Sequence, residues 1–331
     1  MTGVSARVIP LLATLAVLVG AFVAGALLFD NFASWAVVRN LFVDNAALGV
    51  AAIGASLVIL SGGIDLSIGS VMAFTGIFVA WLIEKQGVHP LAAMAMATAV
   101  GLAFGIGQGV IIQRFAIPAF LVTLAGMFLA RGAAFWIYPQ SLGIRHEFVA
   151  STMNDAMTFR LPVGPRGVAI PLTVDIFLVV AAAAVYFLRC TRAGRCVYAI
   201  GDDAEAARLM GIPVARTRIM TYGLCGMCSA LAGIVFALYQ QSGNPASCTG
   251  WELDAIAAVV IGGTRLRGGV GSVQGTVLGV LILGLIQTLI TFGDVNSWLT
   301  RIAVGGLMLG FVALQRLIES IADRGRAPGR A

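Results

Sequence analysis

Charge is scarce in this chain, and one charged residue is almost missing. Of 331 residues, 21 are Lys or Arg and 15 are Asp or Glu, 11% together. Soluble domains carry about 25%. Hydrophobic residues reach 59% and the mean hydropathy is +0.96. Most residues of a soluble globule touch water, so such a globule could not hide this much apolar surface. Disorder is excluded on the same ground. Lipid must therefore be the solvent for most of the chain. Lysine occurs once, in Glu84-Lys85-Gln86, with no glycine-rich loop before it. A Walker-type nucleotide site needs lysine after its second glycine to reach the phosphates, so the chain holds no such ATP site. The net charge of +6 is no nucleic-acid signal, because no soluble basic patch of domain size exists.

Metal-ligating and catalytic residues are equally thin. The two histidines, His89 and His146, cannot build a metal site with so few partners, and His89 precedes a proline in a short turn. Cysteine is odd in number (Cys190, Cys196, Cys225, Cys228 and Cys248), mostly in or beside apolar segments. Cys225 and Cys228 form a CxxC with no second pair, which reads as small filler on a helix face. No Ser/His/Asp or metal constellation is present, so no catalytic residue and no metal site is assigned.

What the chain does have is long apolar runs. About 20 apolar residues cross a ~30 Å hydrocarbon layer as a helix. That ruler predicts an all-α polytopic membrane protein with helices near 8–29, 41–60, 69–83, 90–112, 117–138, 170–188, 218–240, 270–292 and 298–316. A shorter piece at 253–264 brings the count to about ten segments, some of them broken or short. The first run lacks a convincing A-x-A cleavage site and reads as a retained helix. The whole chain, 1–331, reads as a single transmembrane domain.

Arginine sets the orientation, because basic residues collect on the inner side. With the N-terminus inside, the inner set is Arg7, Arg114, the arginines from Arg189 to Arg218, Arg265, Arg267, and Arg316, Arg324, Arg326 and Arg330. The outer set is half as large: Arg39, Lys85, Arg131, Arg145, Arg160, Arg166 and Arg301. An N-in, C-in chain follows. Residues 139–169 then form an outer loop, 189–217 an inner loop, and 317–331 an inner basic tail.

Glycine, at 41 residues, is nearly twice its usual share of about 7%. Gly101, Gly105 and Gly109 make a GxxxGxxxG ridge, and Gly275/Gly279 and Gly306/Gly310 repeat the spacing. Small residues at i, i+4 let helices approach closely in lipid, here within one chain or across a dimer. More informative is an internal echo. Gly62-Gly63 leads to Gly69-Ser70-Val71, and Gly262-Gly263 leads to Gly271-Ser272-Val273. Each is a Gly-Gly break followed by Gly-Ser-Val opening a helix. Paired broken helices are common in transporters, and irregular backbone at membrane depth must line protein or a water-filled cavity.

At these residues the chain becomes familiar. Val58-Ile59-Leu60-Ser61-Gly62-Gly63-Ile64-Asp65-Leu66-Ser67 resembles the signature of permease subunits from bacterial ABC sugar importers of the ribose/xylose/galactose type. Residues 117–126, 201–212 and 252–264 extend the resemblance over essentially the whole chain. Asp44-Asn45-Ala46, Ala73-Phe74-Thr75-Gly76 and Leu285-Ile286-Gln287-Thr288 look most like the smaller of the two permeases in galactofuranose importers. The resemblance implies an inner-membrane permease core with a second permease, a paralogue or a second copy. It implies a cytoplasmic ATP-binding subunit with two nucleotide domains, which carries the ATP and Mg, and a periplasmic sugar-binding protein. No cofactor is then expected on this chain, and its partners include lipid but no nucleic acid. Arg265 departs from the small polar residue common in the family and reads as a cytoplasmic anchor.

Candidate roles follow. Asp65 either shapes the inner end of the pathway or caps the helix that starts near Ser67, since a carboxylate in a membrane helix costs about 2.5–3.5 kcal/mol and favours an N-terminus. Gly62, Gly63, Gly262 and Gly263 shape the breaks. Asn45, Gln108, Thr123 and Gln287 are neutral donors and acceptors suited to sugar hydroxyls, or to helix–helix hydrogen bonds. Glu252 and Asp254, at the outer start of the short segment, form an outer polar cluster with Asp294 and Arg301. They contact the binding protein or the sugar, or simply face the helix dipole. By resemblance, Asp203, Ala204, Glu205, Ala206, Ala207, Arg208, Leu209, Met210 and Gly211 form a coupling helix for a groove on the ATPase, with Asp202 or Asp203 as its cap. An ion-coupled carrier is the competing function. It needs intramembrane ionisable groups, and Asp44 and Asp65 are the clear acidic candidates in the first half. An intramembrane enzyme is the weakest alternative.

Overall fold

The computed structural model describes residues 5–151, 159–161 and 168–294, together with Trp298, Ile302, Gly305, Gly306, Leu309, Gly310 and Ala313 taken singly. The expected basic tail, most of the 298–316 helix, Arg301 and part of the 139–169 loop fall outside the described residues. Among the described residues, seven helices are long and apolar enough to cross a membrane. They are α1 (Ser5–Leu28), α2 (Trp35–Leu60), α4 (Pro90–Phe115), α5 (Ala119–Ile137), α7 (Leu172–Cys190), α10 (Val214–Gln240) and α12 (Val273–Phe292). Two apolar helices fall short of a span: α3 (Ile68–Glu84), with 17 residues, and α11 (Trp251–Ile261), with 11. The expected ten segments thus resolve into seven long helices, two short ones, and one outside the described residues.

Several helices outrun their apolar stretch. The α2 helix starts at Trp35 because Ser34 caps it, accepting from Val37 N at 3.4 Å. Arg39 and Asn40 interrupt the hydropathy but not the helix. The α10 helix starts at Val214, right after Pro213, and so includes Arg216 and Arg218. Hydropathy reports where lipid lies, whereas helix ends depend on caps and on proline.

The buried centre is α2, whose second half, from Ala46 to Leu60, is buried throughout. A helix apolar on every side belongs inside the bundle. Around it stand α10, α12, α7 and α11, with α4 and α3 against α10 and α5 against α3. The α4–α10 contact is made by glycine. A Cβ on Gly101 would run into Gly226 O, one on Gly105 into Tyr222 O, and one on Gly109 would lie 2.8 Å from Ile219 Cα. The GxxxGxxxG ridge is therefore spent inside the chain. Gly275 and Gly279 likewise sit on the carbonyls of Gly262 and Ala258, whereas Gly306 and Gly310 are exposed with nothing near them among the described residues.

Small β pairs add to the helical plan on the side opposite the arginine-rich end. β1 (Leu142–Gly143) pairs with β4 (Ser242–Gly243), and β2 (Phe159–Leu161) with β3 (Val168–Ile170), both antiparallel. They pin the long loop, helped by Ile144 N donating to Gln241 O at 2.8 Å and Arg145 N to Glu84 Oε1 at 2.6 Å. A short helix, α6 (Glu147–Ser151), lies in the same loop.

Candidate functional site

The chain leaves helix at Leu60 through a glycine cap. Gly62 takes φ +80, a conformation that costs other residues the Cβ penalty. Gly62 N donates to Ile59 O at 2.9 Å and Gly63 N to Val58 O at 3.0 Å, which satisfies the last carbonyls of α2. The α11 helix ends the same way. Gly263 has φ +85, its N donates to Val260 O at 2.9 Å, and Thr264 N donates to Val259 O at 3.2 Å. The echo is real in the backbone but offset by one residue from its apparent alignment: Gly62 answers Gly263, and Ser61 answers Gly262. The two breaks also face different surroundings. Gly63 abuts the Tyr222 hydroxyl and lines a cavity. Gly262 is pressed on Gly275 of α12.

Within the turn, Asp65 is 3% exposed. Its Oδ1 accepts from Ser67 N at 2.8 Å and Ser67 Oγ at 2.7 Å. Ser67 is the residue before α3 and makes no cap bond of its own, so Asp65 does the capping. The carboxylate is held by dipoles and by the α3 N-terminus. Neighbouring helices supply neutral groups. Thr123 Oγ1 of α5 lies 3.5 Å from Ile64 O, Tyr222 Oη of α10 donates to the same carbonyl at 3.3 Å, and Ser67 Oγ lies 3.4 Å from Gln108 Oε1 of α4. Gln108 is buried and its Nε2 lacks a partner. Tyr222 and Cys225 stand roughly 12 and 16 Å along α10 from its first residue, at 1.5 Å per residue. The turn therefore lies inside the bundle, about a third of the way along α10, where protein or a cavity must satisfy irregular backbone.

Below the turn is a cavity of about 390 Å³. Ser61, Gly62 and Gly63 form one wall, the α4–α5 turn from Ile112 to Ala119 another, and Tyr222, Arg218 and Arg208 the third. It lies at the arginine-rich end. There Gly269 N donates to Leu60 O at 3.0 Å, and Gly201 backs onto both residues. Gly201 belongs to α8 (Arg192–Asp202), whose Gly194, Val197 and Ile200 are buried while Arg192 and Arg195 face out.

The short helix α9 (Ala204–Leu209) follows. Of the two expected caps it is Asp203 that serves, its Oδ1 accepting from Glu205 N at 2.8 Å and Ala206 N at 3.0 Å. Gly211 closes the helix at φ +78. The expected small apolar face splits in two. Ala207 is fully buried with Ile200 and Val214, whereas Leu209 and Met210 are 89% and 71% exposed. The face offered outward is thus Leu209–Met210, and Ala207 is this chain's own core.

Other expected residues scatter. Asn45 Nδ2 donates to its own helix at Leu41 O, 2.8 Å away, and packs on Gly284. Gln287 is exposed on α12, away from the turn. Glu252 is half-buried and lies against Gly69 in the first turn of α3, with Oε2 buried and unpartnered. Two short helices, α3 and α11, therefore meet N-terminus to N-terminus. Asp254 shares the first turn of α11, Asp294 stands exposed past the far end of α12, and Arg301 is outside the described residues. The basic group whose charge bears on Glu252 is Arg131 of α5, which donates to Pro245 O and Ser247 O, both at 2.7 Å. Tyr222, Ser61, Arg218 and Arg131 are not among the site residues expected from the sequence. A tyrosine or arginine in an otherwise apolar helix was the available signal.

The family of the branched-chain amino acid transport system permease component matches residues 37–312. The chain belongs to that family. An inner membrane ABC transporter permease of Escherichia coli, YjfF, is 46% identical over 311 residues, 94% of this chain and 92% of its own length. The fructose import permease FruG of Bifidobacterium longum is 36% identical, covering 95% and 93%. The ribose import permease RbsC of Escherichia coli is 39% identical, covering 82% of each. No solved structure matches. The protein is thus a multi-pass inner-membrane permease subunit and not an enzyme. As a component of an ABC importer it works with an ATP-binding subunit and a substrate-binding protein.

Proposed function

We propose that this chain forms the translocation path for a monosaccharide, galactofuranose-like or ribose/galactose-like, in an ATP-driven importer. The observation that carries the reading is the 61–67 turn, lined by Gln108, Thr123, Ser67 and Tyr222 and opening on a cavity walled by Ser61 and Gly63. Apart from the capped Asp65, these groups are neutral donors and acceptors, matched to hydroxyls. The import permeases among the relatives carry ribose and fructose in their names. The galactofuranose reading rests on the phrases around Asn45, Phe74 and Gln287. ATP and Mg reside on a cytoplasmic subunit with two nucleotide domains, which meets α9. A periplasmic sugar-binding protein and a second permease, a paralogue or a second copy, complete the assembly. The cavity is its cytoplasmic mouth.

Uptake of labelled galactofuranose, ribose, galactose and fructose by cells with and without this gene tests the reading. Gene-dependent uptake of one sugar is expected. Uptake by the lone chain in proteoliposomes, without the ATPase, would instead identify an ion-coupled carrier.

A further inference from the structure

Among the described residues, two guanidinium groups at the cavity have no partner. Arg208 lies in the last turn of α9 and Arg218 near the start of α10, and both line the space of about 390 Å³. Among the described residues neither side chain has a hydrogen bond or an ion pair. Arg208 is exposed and Arg218 half-buried. Their chemistry departs from the neutral turn above. An uncharged sugar has no use for two cations, whereas guanidinium forks match phosphate oxygens with paired, charge-assisted bonds. A third group narrows the ligand. Gln113 Oε1, on the same wall, is buried and has no donor. A bare acceptor beside two cations asks for a ligand with both an anion and a hydroxyl. An acidic side chain from a partner protein supplies no such donor. The volume lies within the roughly 300–1,000 Å³ of small-molecule pockets.

We propose that this mouth binds a sugar phosphate, with the phosphate on Arg208 and Arg218 and a hydroxyl donating to Gln113 Oε1. Such a monoester is what a kinase makes from an imported sugar. Charged, it does not return through the neutral turn. Bound, it occupies the exit between the break after α2 and the ATPase-facing α9, and slows further import. The inference rests on the cavity being the cytoplasmic end of the path.

The test uses the purified permease–ATPase complex. Thermal unfolding is followed with ribose 5-phosphate, inorganic phosphate and ribose. The ester raises the midpoint most, phosphate less, and ribose not at all. Arg208→Gln and Arg218→Gln each weaken the ester response about tenfold, and Gln113→Leu weakens the response to ester but not to phosphate. If Arg218→Gln fails to fold, Arg218→Lys keeps the charge and gives an intermediate response. In proteoliposomes, ester on the ATPase side lowers uptake in the wild type and less in the variants, each rate taken relative to its own value without ester. No midpoint rise, or a rise unchanged when Arg208→Gln and Arg218→Gln are combined, overturns the proposal. So does a response to phosphatidic acid vesicles alone, or loss of ATPase capture in the variants with the ester response intact. Absent sugar uptake without ester sinks the path reading and leaves the binding result standing.

Discussion

The Tyr222 hydroxyl reaches across from α10 to the Ile64 carbonyl at 3.3 Å, and Gly63 leaves room for it. This bond ties the irregular turn to a helix that runs the full depth of the bundle. Thr123 lies 3.5 Å from the same oxygen from the other side. Tyr222→Phe keeps the ring and removes the stronger donor. Leaving a buried carbonyl short of its partner costs about 1–3 kcal/mol. Uptake should fall while the protein still assembles, with a lower unfolding midpoint in detergent. Unchanged uptake and midpoint would remove Tyr222 from the site.

Asp65 gives a second prediction. Its Oδ1 carries both Ser67 bonds, so Asp65→Asn keeps an acceptor there while removing the charge that favours the α3 N-terminus. Assembly should survive and transport should fall. Asp65→Leu also abandons the Ser67 N–H and should lower the yield of folded permease. Full transport in Asp65→Asn would reduce the residue to a helix cap.

The membrane class, the broken helices and the polar turn were legible in the sequence because hydropathy, glycine pairs and a lone buried acid are local signals. What they could not convey was depth and direction. Glu252 looks superficial because it opens an apolar run, yet α11 is too short to span, and its start is carried in against Gly69. In Gly262-Gly263 the second glycine makes the helix-ending turn and the first packs on Gly275, two uses that read alike in a sequence. Arg208 and Arg218 lie ten residues apart on two elements, and only the return of the chain through Gly211 and Pro213 brings them to one cavity.

The α9 helix separates docking from folding. Leu209 and Met210 are exposed, so Leu209→Ser with Met210→Ser should leave the unfolding midpoint nearly unchanged while weakening capture of the ATP-binding subunit. Asp203→Ala removes two cap bonds and should cost about 1 kcal/mol of local stability, loosening coupling through the helix itself. Ala207→Trp forces a large ring into the Ile200–Val214 contact. Overpacking of that kind costs typically about 1–3 kcal/mol or more, so this variant should lose stability before it loses coupling. Equal midpoints for the Ala207 and Leu209/Met210 variants would contradict the split.

The α4–α10 seam gives the sharpest steric prediction. Gly105 faces Tyr222 O and Gly226 faces Gly101 O, both closer than any Cβ allows. Gly105→Ala must push the two helices apart, because the obstacle is backbone that cannot rotate away. Gly107, on the same helix with nothing within 4 Å, is the control: Gly107→Ala keeps the seam and gains helix propensity of about 0.8–1.0 kcal/mol. Gly105→Ala should lower the unfolding midpoint, and it should also lower uptake, since the displaced backbone is that of Tyr222, which holds Ile64. Gly107→Ala should lower neither. A Gly105→Ala permease as stable and active as the wild type would show that α4 does not bear on α10 through glycine.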